Sequence, residues 1–341
     1  MIRIRQKAKR QKPRGAVAHF RGAGRVFCHS EATGMAKPKQ DIQRKGRKTP
    51  AEAGAERRQH MDKWLLIDGH NLLFQMFFGM PARIVSRDGK AMQGTLGFVG
   101  ATLRMIRMTE PTHVLAVFDG EHENPRRELD PEYKSGRVDY SAVPEEESPF
   151  SQLPDIYRAL DQMGICHTET VACEADDLIA SYIRRLPADA SAVIASFDSD
   201  FFQLVSKRVS VLRYRGKDNI VLLDEQGVQA RFGVPPKQYA DFKALTGDKA
   251  DSIVGVRDVG PRTAASLLAS FGNIEGIIAH TEEIHRFVVR RSVSQSAELM
   301  RRNRSLIRLL GEEPLPVFPE DMTYTPKPDT TFDVMRAIGL Y

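Results

Sequence analysis

The sequence is poor in cysteine and has no long apolar stretch. Its 341 residues include three cysteines, Cys28, Cys166 and Cys173, and none of them forms a Cys-x-x-Cys pair. A disulfide framework and a thiolate zinc site are therefore not expected, and a reducing, cytoplasmic compartment fits this cysteine usage best. No charge-free apolar run reaches about 18 residues, so the sequence predicts no membrane span.

A basic surface is also lacking over most of the chain. The formal net charge is +6 at pH 7, but residues 1–60 carry 17 Lys and Arg against 4 Asp and Glu, whereas the remaining residues carry 33 against 40. The body of the protein is thus mildly acidic. Any nucleic-acid binding must come from local sites rather than from the overall charge.

Residues 1–60 lack helical or strand periodicity and predict a disordered basic tail. Three explanations of this tail remain open. It is an organellar transit segment, an arm that binds nucleic acid without sequence preference, or the product of an upstream start codon, with Met61 as the functional start. We expect the folded protein to begin at Met61, because a strand-like run follows at once.

From Trp64 onward, short apolar runs alternate with segments of helical periodicity. Three of the runs end in an aspartate, namely WLLID (64–68), THVLAVFD (112–119) and SAVIASFD (191–198). RVSVLRY and NIVLLD are further strand candidates, and apolar spacing predicts helices at 94–108, 152–163 and 174–186. This alternation is typical of an α/β fold with a parallel sheet and helices on both faces. After about residue 235 the sequence predicts helices and no further strand.

Carboxylates gather where the predicted strands end. Ligand sites in open parallel sheets form beyond the carboxyl ends of the strands, so Asp68, Asp119 and Asp198 are expected to converge on one edge. A single such aspartate is more often a turn residue or a helix N-cap, but three after three apolar runs indicate a site. Acids in neighbouring segments bring the set to nine, namely Asp68, Asp119, Glu174, Asp176, Asp177, Asp198, Asp200, Asp248 and Asp251.

These nine carboxylates offer only oxygen ligands, which favours Mg²⁺ or Mn²⁺ over zinc. Glu174, Asp176 and Asp177 lie at the start of a predicted helix with few basic residues nearby, so they repel one another unless a cation lies among them. One octahedral Mg²⁺ keeps several waters and cannot use so many acids. Two ions are therefore expected, which is the usual arrangement for in-line phosphodiester cleavage.

The segment GVRDVGPRT (255–263) precedes a predicted helix. It differs from a nucleotide-binding P-loop, because Pro261 stands where that motif needs lysine and no predicted strand comes before it. We interpret it as a tight helix–hairpin–helix turn whose backbone N–H groups grip a phosphate without reading sequence. Gly255 and Gly260 permit the turn, and Pro261 suits the first turn of a helix. The alternative is an ordinary helical connector.

Taken together, these segments resemble the 5′ nuclease family, which includes flap endonucleases, phage 5′ exonucleases and the N-terminal nuclease domain of bacterial DNA polymerase I. The resemblance runs from about Trp64 to the C-terminus. It rests on LLIDGHNLLF (65–74), GTLGF (94–98), VFDG (117–120), EYKSGR (132–137), EADDLIAS (174–181), FDSDFFQL (197–204), TGDKADSIVGV (246–256) and GPRTA (260–264). The chain looks like the stand-alone bacterial form.

This resemblance implies a PIN-like nuclease core at 61–235, an arch segment at about 121–150 and a helical DNA-binding region at 236–341 with its hairpin at 252–264. It implies a monomeric 5′-3′ exonuclease or flap endonuclease of the bacterial cytoplasm. Such an enzyme hydrolyses DNA phosphodiesters at 5′ flaps, nicks or free 5′ ends with two Mg²⁺ ions, for which Mn²⁺ substitutes.

The resemblance also assigns roles to individual residues. Asp68, Asp119, Glu174 and Asp176 would hold the first ion. Asp198, Asp200, Asp248 and Asp251 would hold the second, with Asp177 between the ions or acting through water. Arg126, Tyr133, Lys134 and Arg137 match the basic arch motif, in which Lys134 and Arg137 would act in catalysis. The DNA-binding hairpin, which would also hold K⁺ through its carbonyls, would use Gly255, Val256, Gly260, Arg262 and Thr263.

Two other functions remain open at this point. A single-strand ribonuclease of the related PIN type also gathers acids at the ends of parallel strands, but it usually lacks the cluster and hairpin at 246–264. A binder of branched DNA that has lost catalysis would use the hairpin alone. All nine acids are intact, which argues against that second alternative.

Overall fold

The structure is a computed structural model that describes residues 61–341, except residues 81, 123, 215, 217 and 218, together with the backbone of Val26–Phe27. The predicted tail at 1–60 otherwise lies outside the described residues.

One seven-stranded sheet organises the N-terminal part of the chain. Its strands are β1 (Val26–Phe27), β2 (Lys63–Asp68), β3 (His113–Phe118), β4 (Cys166–Glu169), β5 (Ser191–Ala195), β6 (Val209–Tyr214) and β7 (Ile220–Leu223). The spatial order is β1-β4-β3-β2-β5-β6-β7, and every pairing between β4 and β6 is parallel. The predicted α/β class with a parallel central sheet is confirmed.

The two edges of the sheet are antiparallel. β7 pairs with β6 on one side, and β1 pairs with β4 on the other. The strand β1 is an exception to the expectation that residues 1–60 contain no strand. An edge strand such as β4 offers unpaired backbone groups to any extended segment, so two residues can join the sheet without a periodic apolar pattern.

Helices cover both faces of the sheet. They are α1 (Gly69–Gly79), α2 (Gln93–Thr109), α3 (Arg126–Leu129), α4 (Leu153–Met163), α5 (Ala175–Arg184) and α6 (Glu225–Phe232). Side chains of β2 alternate between the two cores, since Trp64 and Leu66 belong to one and Leu65 and Ile67 to the other. Burial on both faces explains why this strand is an uninterrupted apolar run.

The C-terminal part is mainly helical. It contains α7 (Tyr239–Thr246), α8 (Pro261–Phe271), α9 (Ile274–Ala279), α10 (Phe287–Ser294), α11 (Ala297–Ile307) and α12 (Thr331–Ala337). The first five of these share a core with α5, whereas α12 returns to the other face and packs against α2 and α4.

The expectation of no strand beyond residue 235 is wrong. β8 (Gly247–Asp248) and β9 (Ile253–Val254) form a two-residue antiparallel hairpin. Gly247 has a φ of +78°, and a Cβ there would lie 2.5 Å from the backbone nitrogen of Gly255. Only glycine fits this close approach of two chain segments. Strands this short carry no periodic signal in a sequence.

The cysteines differ from expectation at one position. Cys166 is disulfide-bonded, whereas Cys173 is a free and buried thiol. The sequence predicts no disulfide framework, and it does not show this single bonded cysteine, because spacing along a sequence does not show which cysteines a fold brings together. Among the described residues, no helix has the length and apolar character needed to cross a membrane.

Candidate active site

The carboxyl ends of the central strands meet at an acidic edge. Asp68 is the last residue of β2 and caps α1, because its Oδ1 accepts the Asn71 N–H at 3.2 Å. Its Oδ2 accepts the Ser196 hydroxyl at 2.8 Å. Asp119 directly follows β3, and its Oδ1 accepts the N–H of Ala175, the first residue of α5, at 2.8 Å. Two strands and one helix are thus joined through carboxylates.

These two neighbouring acids have opposite pKa shifts. Burial raises the pKa of Asp68 to about 7, and the negative charge of Asp119 adds to the shift. Burial also acts to raise the pKa of Asp119, but the hydrogen bond and charge of His70, the Ala175 N–H and the charge of Lys134 together outweigh burial and lower this pKa to about 2. His70 Nδ1 lies 3.2 Å from Asp119 Oδ2. A buried carboxyl with a raised pKa is one whose ionised form lacks a compensating positive charge.

A second group of acids lies at the start of α5. Oxygens of Glu174, Asp176 and Asp177 lie within 4.8 Å of one another, close enough to share one ion. The Arg126 guanidinium contacts all three, touching Glu174 and lying 3.6 Å from Asp176 and 2.8 Å from Asp177. We call Glu174, Asp176 and Asp177 the α5 group.

Lys134 and Tyr133 complete the surroundings of the α5 group. The Lys134 ammonium touches Glu174, and the Tyr133 hydroxyl donates to Glu174 at 3.1 Å. The expectation that these acids lack basic partners is wrong, because Arg126 and Lys134 reach them from a segment about 40 residues earlier in the chain. Although Glu174 is partly buried, these two cations hold its pKa below the ordinary value. Burial raises the pKa of Asp176 and Asp177.

A third group joins Asp200 and Asp248 through a buried lysine. Asp200 begins a 3₁₀ helix after β5, and Asp248 ends β8. The Lys243 ammonium touches Asp200 and lies 2.5 Å from Asp248 Oδ2. Burial, together with the charge of Asp198, raises the pKa of Asp200 to about 7. We call Asp200, Asp248 and Lys243 the α7 group, after the helix that carries the lysine.

The remaining acids connect these groups. Asp198 lies three residues beyond β5, and its N–H donates to the Ser196 hydroxyl at 3.0 Å, while its Oδ1 accepts the Asp200 N–H at 2.8 Å. Asp251, in the turn of the β8–β9 hairpin, pairs with Arg137 at 2.7 Å. Its carbonyl also accepts the Lys134 N–H at 3.0 Å. The structure therefore brings all nine predicted acids into one network at one end of the sheet.

The segment 126–137 contacts this network at two places, the α5 group and Asp251. Arg126 and Tyr133 are buried against the α5 group, Lys134 is half-buried there, and Arg137 reaches Asp251 with a half-exposed side chain. Lys134 has a φ of +58°, an uncommon conformation for a residue other than glycine. The basic residues predicted for the arch therefore contact the predicted metal ligands themselves.

The predicted DNA-binding hairpin, residues 252–264, contains β9 and the first residues of α8. The Val256 side chain is buried, its N–H donates to the Leu245 carbonyl at 2.8 Å, and its carbonyl accepts the Val259 N–H at 3.2 Å. A Cβ at Gly255 would lie 2.4 Å from the carbonyl carbon of Thr246, which excludes larger residues. Gly260 caps α8, and both Gly260 and Arg262 are exposed, whereas Thr263 is partly buried.

Sequence reasoning missed four residues that hold the acids. They are Lys243, His70, Asn71 and Ser196, which contact the acids as described above. The sequence did hold a signal for Lys243, because this lysine lies among apolar residues in a helix that is buried along its length from 239 to 245. A charged residue at such a position needs a partner of opposite charge.

The chain therefore combines an α/β sheet that has carboxylates at the ends of its parallel strands with a helical region that contains a hairpin. Residues 63–233 match the family described as 5′-3′ exonuclease, N-terminal resolvase-like domain. Residues 234–330 match 5′-3′ exonuclease, C-terminal SAM fold. The chain belongs to the 5′-3′ exonuclease family.

Relatives of known name agree with this membership. A 5′-3′ exonuclease of Streptomyces coelicolor is 30% identical over 288 residues, which cover 80% of this chain and 94% of that protein. The thermostable DNA polymerase I of Thermus filiformis is 32% identical over 254 residues, which cover 74% of this chain. The match covers 29% of that polymerase, so the chain corresponds to less than a third of it.

Solved structures share the fold. The T5 D15 protein co-crystallised with metal ions has a TM-score of 0.60 at 23% identity, covering 72% of this chain and 89% of that one. The catalytic core of Rad2 in complex with DNA substrate has a TM-score of 0.52 at 16% identity, covering 82% of this chain and 88% of that one.

Proposed function

We propose that this protein hydrolyses DNA phosphodiesters at 5′ flaps, nicks and free 5′ ends, acting as a 5′-3′ exonuclease and flap endonuclease. The observation that carries the proposal is the convergence of nine carboxylates on one sheet edge, in a chain that belongs to the 5′-3′ exonuclease family. The exonuclease relative, matched over nearly its full length, supports the same activity.

The donor set fits divalent metal ions. Its ligands are carboxylate oxygens, which Mg²⁺ and Mn²⁺ prefer, and several of the acids are buried with raised pKa, as expected where a positive charge is needed. We propose two positions, the first held by Asp68, Asp119, Glu174 and Asp176, and the second by Asp198, Asp200, Asp248 and Asp251. Bound ions of this kind activate water and stabilise charge on a phosphate under attack.

Asp177 has a different position in this proposal. Its carboxylate is paired with Arg126, and the acidic neighbours that act on its pKa are Glu174 and Glu313. These contacts favour an indirect role over direct metal binding for Asp177. We propose that Asp177 acts on the first ion indirectly, by fixing Arg126.

The protein's own cations would hold the substrate. Lys134 pairs with Glu174 of the α5 group, and Arg137 pairs with Asp251. A phosphate that enters between these two side chains meets two positive charges beside the acids. We propose that both contact the scissile phosphate, where positive charge favours the transition state. Arg126 and Tyr133, which are buried beneath them, position Glu174.

The hairpin would grip the duplex at a distance from the scissile bond. Backbone N–H groups at the start of α8, following Gly260, can hold a phosphate, with the exposed Arg262 beside them. Gly255, Val256 and Thr263 shape this loop, and we propose that its carbonyls hold K⁺. In this layout residues 61–235 form the nuclease core with an arch at about 121–150, and residues 236–341 form the DNA-binding region. Residues 1–60 would be a tail, and the protein would act as a monomer in the bacterial cytoplasm.

Cleavage of a 5′-labelled flap substrate tests the proposal. We expect cleavage with Mg²⁺ or Mn²⁺ and none in excess chelator, and a single-stranded RNA of the same sequence should remain intact. Preferential cleavage of the RNA would instead indicate a PIN-type ribonuclease. Tight flap binding without cleavage at any metal concentration would indicate a catalytically silent binder. Cleavage in excess chelator would contradict the two-metal site.

A further inference from the structure

Lys243 lies in surroundings unusual for a lysine. It belongs to α7, in which every residue from Tyr239 to Leu245 is buried, and only 4% of Lys243 is exposed. Its ammonium contacts two carboxylates from different elements, Asp200 after β5 and Asp248 in β8. Lys243 therefore links the edge of the main sheet to the β8–β9 hairpin through two ion pairs.

Asp200 and Asp248 depend on this one cation. Among the residues that the structure describes, the ion pairs formed by both acids are with Lys243. Asp200 is 5% exposed, so water does little to stabilise its charge. Removing one partner from a buried ion pair leaves an uncompensated charge, whereas in the intact pair each charge compensates the other.

Lys243 also has little freedom to leave. A surface lysine can extend its long stem into water when a competing cation arrives, but a lysine on a helix buried from 239 to 245 has no such route without disrupting the core. A divalent ion approaching Asp200 and Asp248 therefore meets a positive charge that stays nearby. Like charges a few ångströms apart in a buried site repel strongly.

From this juxtaposition we propose that Lys243 is a positioning residue that holds Asp200 and Asp248 in place and competes with divalent ions for them. The second metal position then binds its ion more weakly than the first. The inference rests on the proposed function, because that proposal assigns Asp200 and Asp248 to a metal position. It adds a physical reason why the two metal positions would differ in their affinity for the ion.

Mn²⁺ binding measures this inequality without any cleavage assay. The full chain is titrated with Mn²⁺ in the absence of DNA, and free Mn²⁺ is followed by electron paramagnetic resonance. We expect one tight and one weak class of site in the wild type. Lys243→Met, which keeps the length of the side chain but removes its charge, should tighten the weak class by about tenfold or more. Lys243→Arg, which keeps the charge, should leave it weak.

A matched control separates competition from general damage. Lys90 also pairs with a buried carboxylate, Asp155, at 2.7 Å, but on another part of the protein. Lys90→Met should leave both classes of Mn²⁺ site unchanged. In thermal unfolding, Lys243→Met should be destabilised in chelator and regain stability with Mn²⁺, whereas any loss in Lys90→Met should be the same under both conditions.

Unchanged Mn²⁺ affinity in folded Lys243→Met would overturn the proposal. If that variant does not fold, Asp248→Asn gives a second test, since it should abolish the weak class and leave the tight class intact. Loss of the tight class instead would overturn the assignment. Absence of flap cleavage by a wild type that shows both classes would count against the proposed function and leave the inference about Lys243 standing.

Discussion

The α5 group and the α7 group neutralise their carboxylates in different ways. Arg126 and Lys134 come to the α5 group from the segment 126–137, which runs over the site and has mostly exposed residues. Lys243 comes to the α7 group from inside a buried helix. The first two cations, one buried and one half-buried, come from a segment that otherwise has many exposed residues, whereas Lys243 comes from a helix buried from 239 to 245.

This difference has a consequence for how each group meets a ligand. Besides its contacts with the acids, the segment 126–137 is held by the buried Tyr133 side chain and by a 3.3 Å ion pair between Asp130 and Arg302. We expect the Lys134 side chain, which is half-buried, to move more readily than Lys243, which belongs to a helix buried from 239 to 245. An entering ion or phosphate should therefore shift Lys134 and share space with the Lys243 ammonium.

The strongest test of this comparison changes one acid at the end of β2 and one acid in the turn of the β8–β9 hairpin. Asp68→Asn should lower the cleavage rate by about 1,000-fold while flap binding persists, since the change removes a ligand without removing the DNA-binding surfaces. Asp251→Asn should retain partial activity and require more metal. Cleavage rates and flap affinities across a Mg²⁺ titration provide the measurement. A near wild-type rate for Asp68→Asn would show that the strand-end acids are not catalytic.

The second test concerns stability without metal. Arg126 is 8% exposed and contacts three carboxylates, so Arg126→Met should remove the cation beside Asp176 and Asp177, leave Glu174 with Lys134 alone, and cost about 3 kcal/mol in chelator. Mg²⁺ should restore part of this loss. Urea unfolding with and without Mg²⁺ measures both effects. Arg158→Met is the control, because Arg158 pairs with Asp155 through a side chain that is 56% exposed, and its loss should not depend on Mg²⁺. Equal responses of the two variants to Mg²⁺ would contradict the role given to Arg126.

A third test asks whether the cations of the segment act on the transition state. Lys134→Ala and Arg137→Ala should each slow flap cleavage by about tenfold or more, with a much smaller loss of duplex affinity. Single-turnover rates and equilibrium binding at one salt concentration separate the two effects. Equal losses in rate and affinity would point to general attraction of DNA instead.

Much of the fold could be predicted because its signals are local. The apolar runs of β2, β3 and β5 and the acids that follow them are visible in single stretches of sequence, and the parallel sheet brings those acids together. β4 was not predicted, because its sequence CHTE mixes polar and apolar residues. β1 and the β8–β9 hairpin are two-residue strands, too short for any period to show.

The cations of the site could not be predicted, because their contacts are distant in sequence. Arg126 lies 48 residues from Glu174, and Lys243 lies 43 residues from Asp200. Composition shows that basic residues exist but not which acids they meet. The acids were found because sheet topology fixes where strand ends lie, and no comparable rule fixes the end of a long basic side chain.

The smallest effect is expected from removing residues 1–60. Among the described residues, this deletion removes only β1, whose two residues pair with Thr168 and His167 at the edge of the sheet. Two edge pairings contribute about 1 kcal/mol or less to stability, so the truncated protein should fold and cleave at nearly the wild-type rate. Both proteins are compared in reductant, so that the disulfide of Cys166 does not contribute. The deletion also removes 17 basic and 4 acidic residues. The flap affinity of the truncated protein should therefore be lower than that of the wild type at low salt and equal to it at high salt. If the truncated protein failed to fold, the N-terminal segment would be a structural part of the nuclease core, and the acidic edge would depend on more of the chain than its central strands.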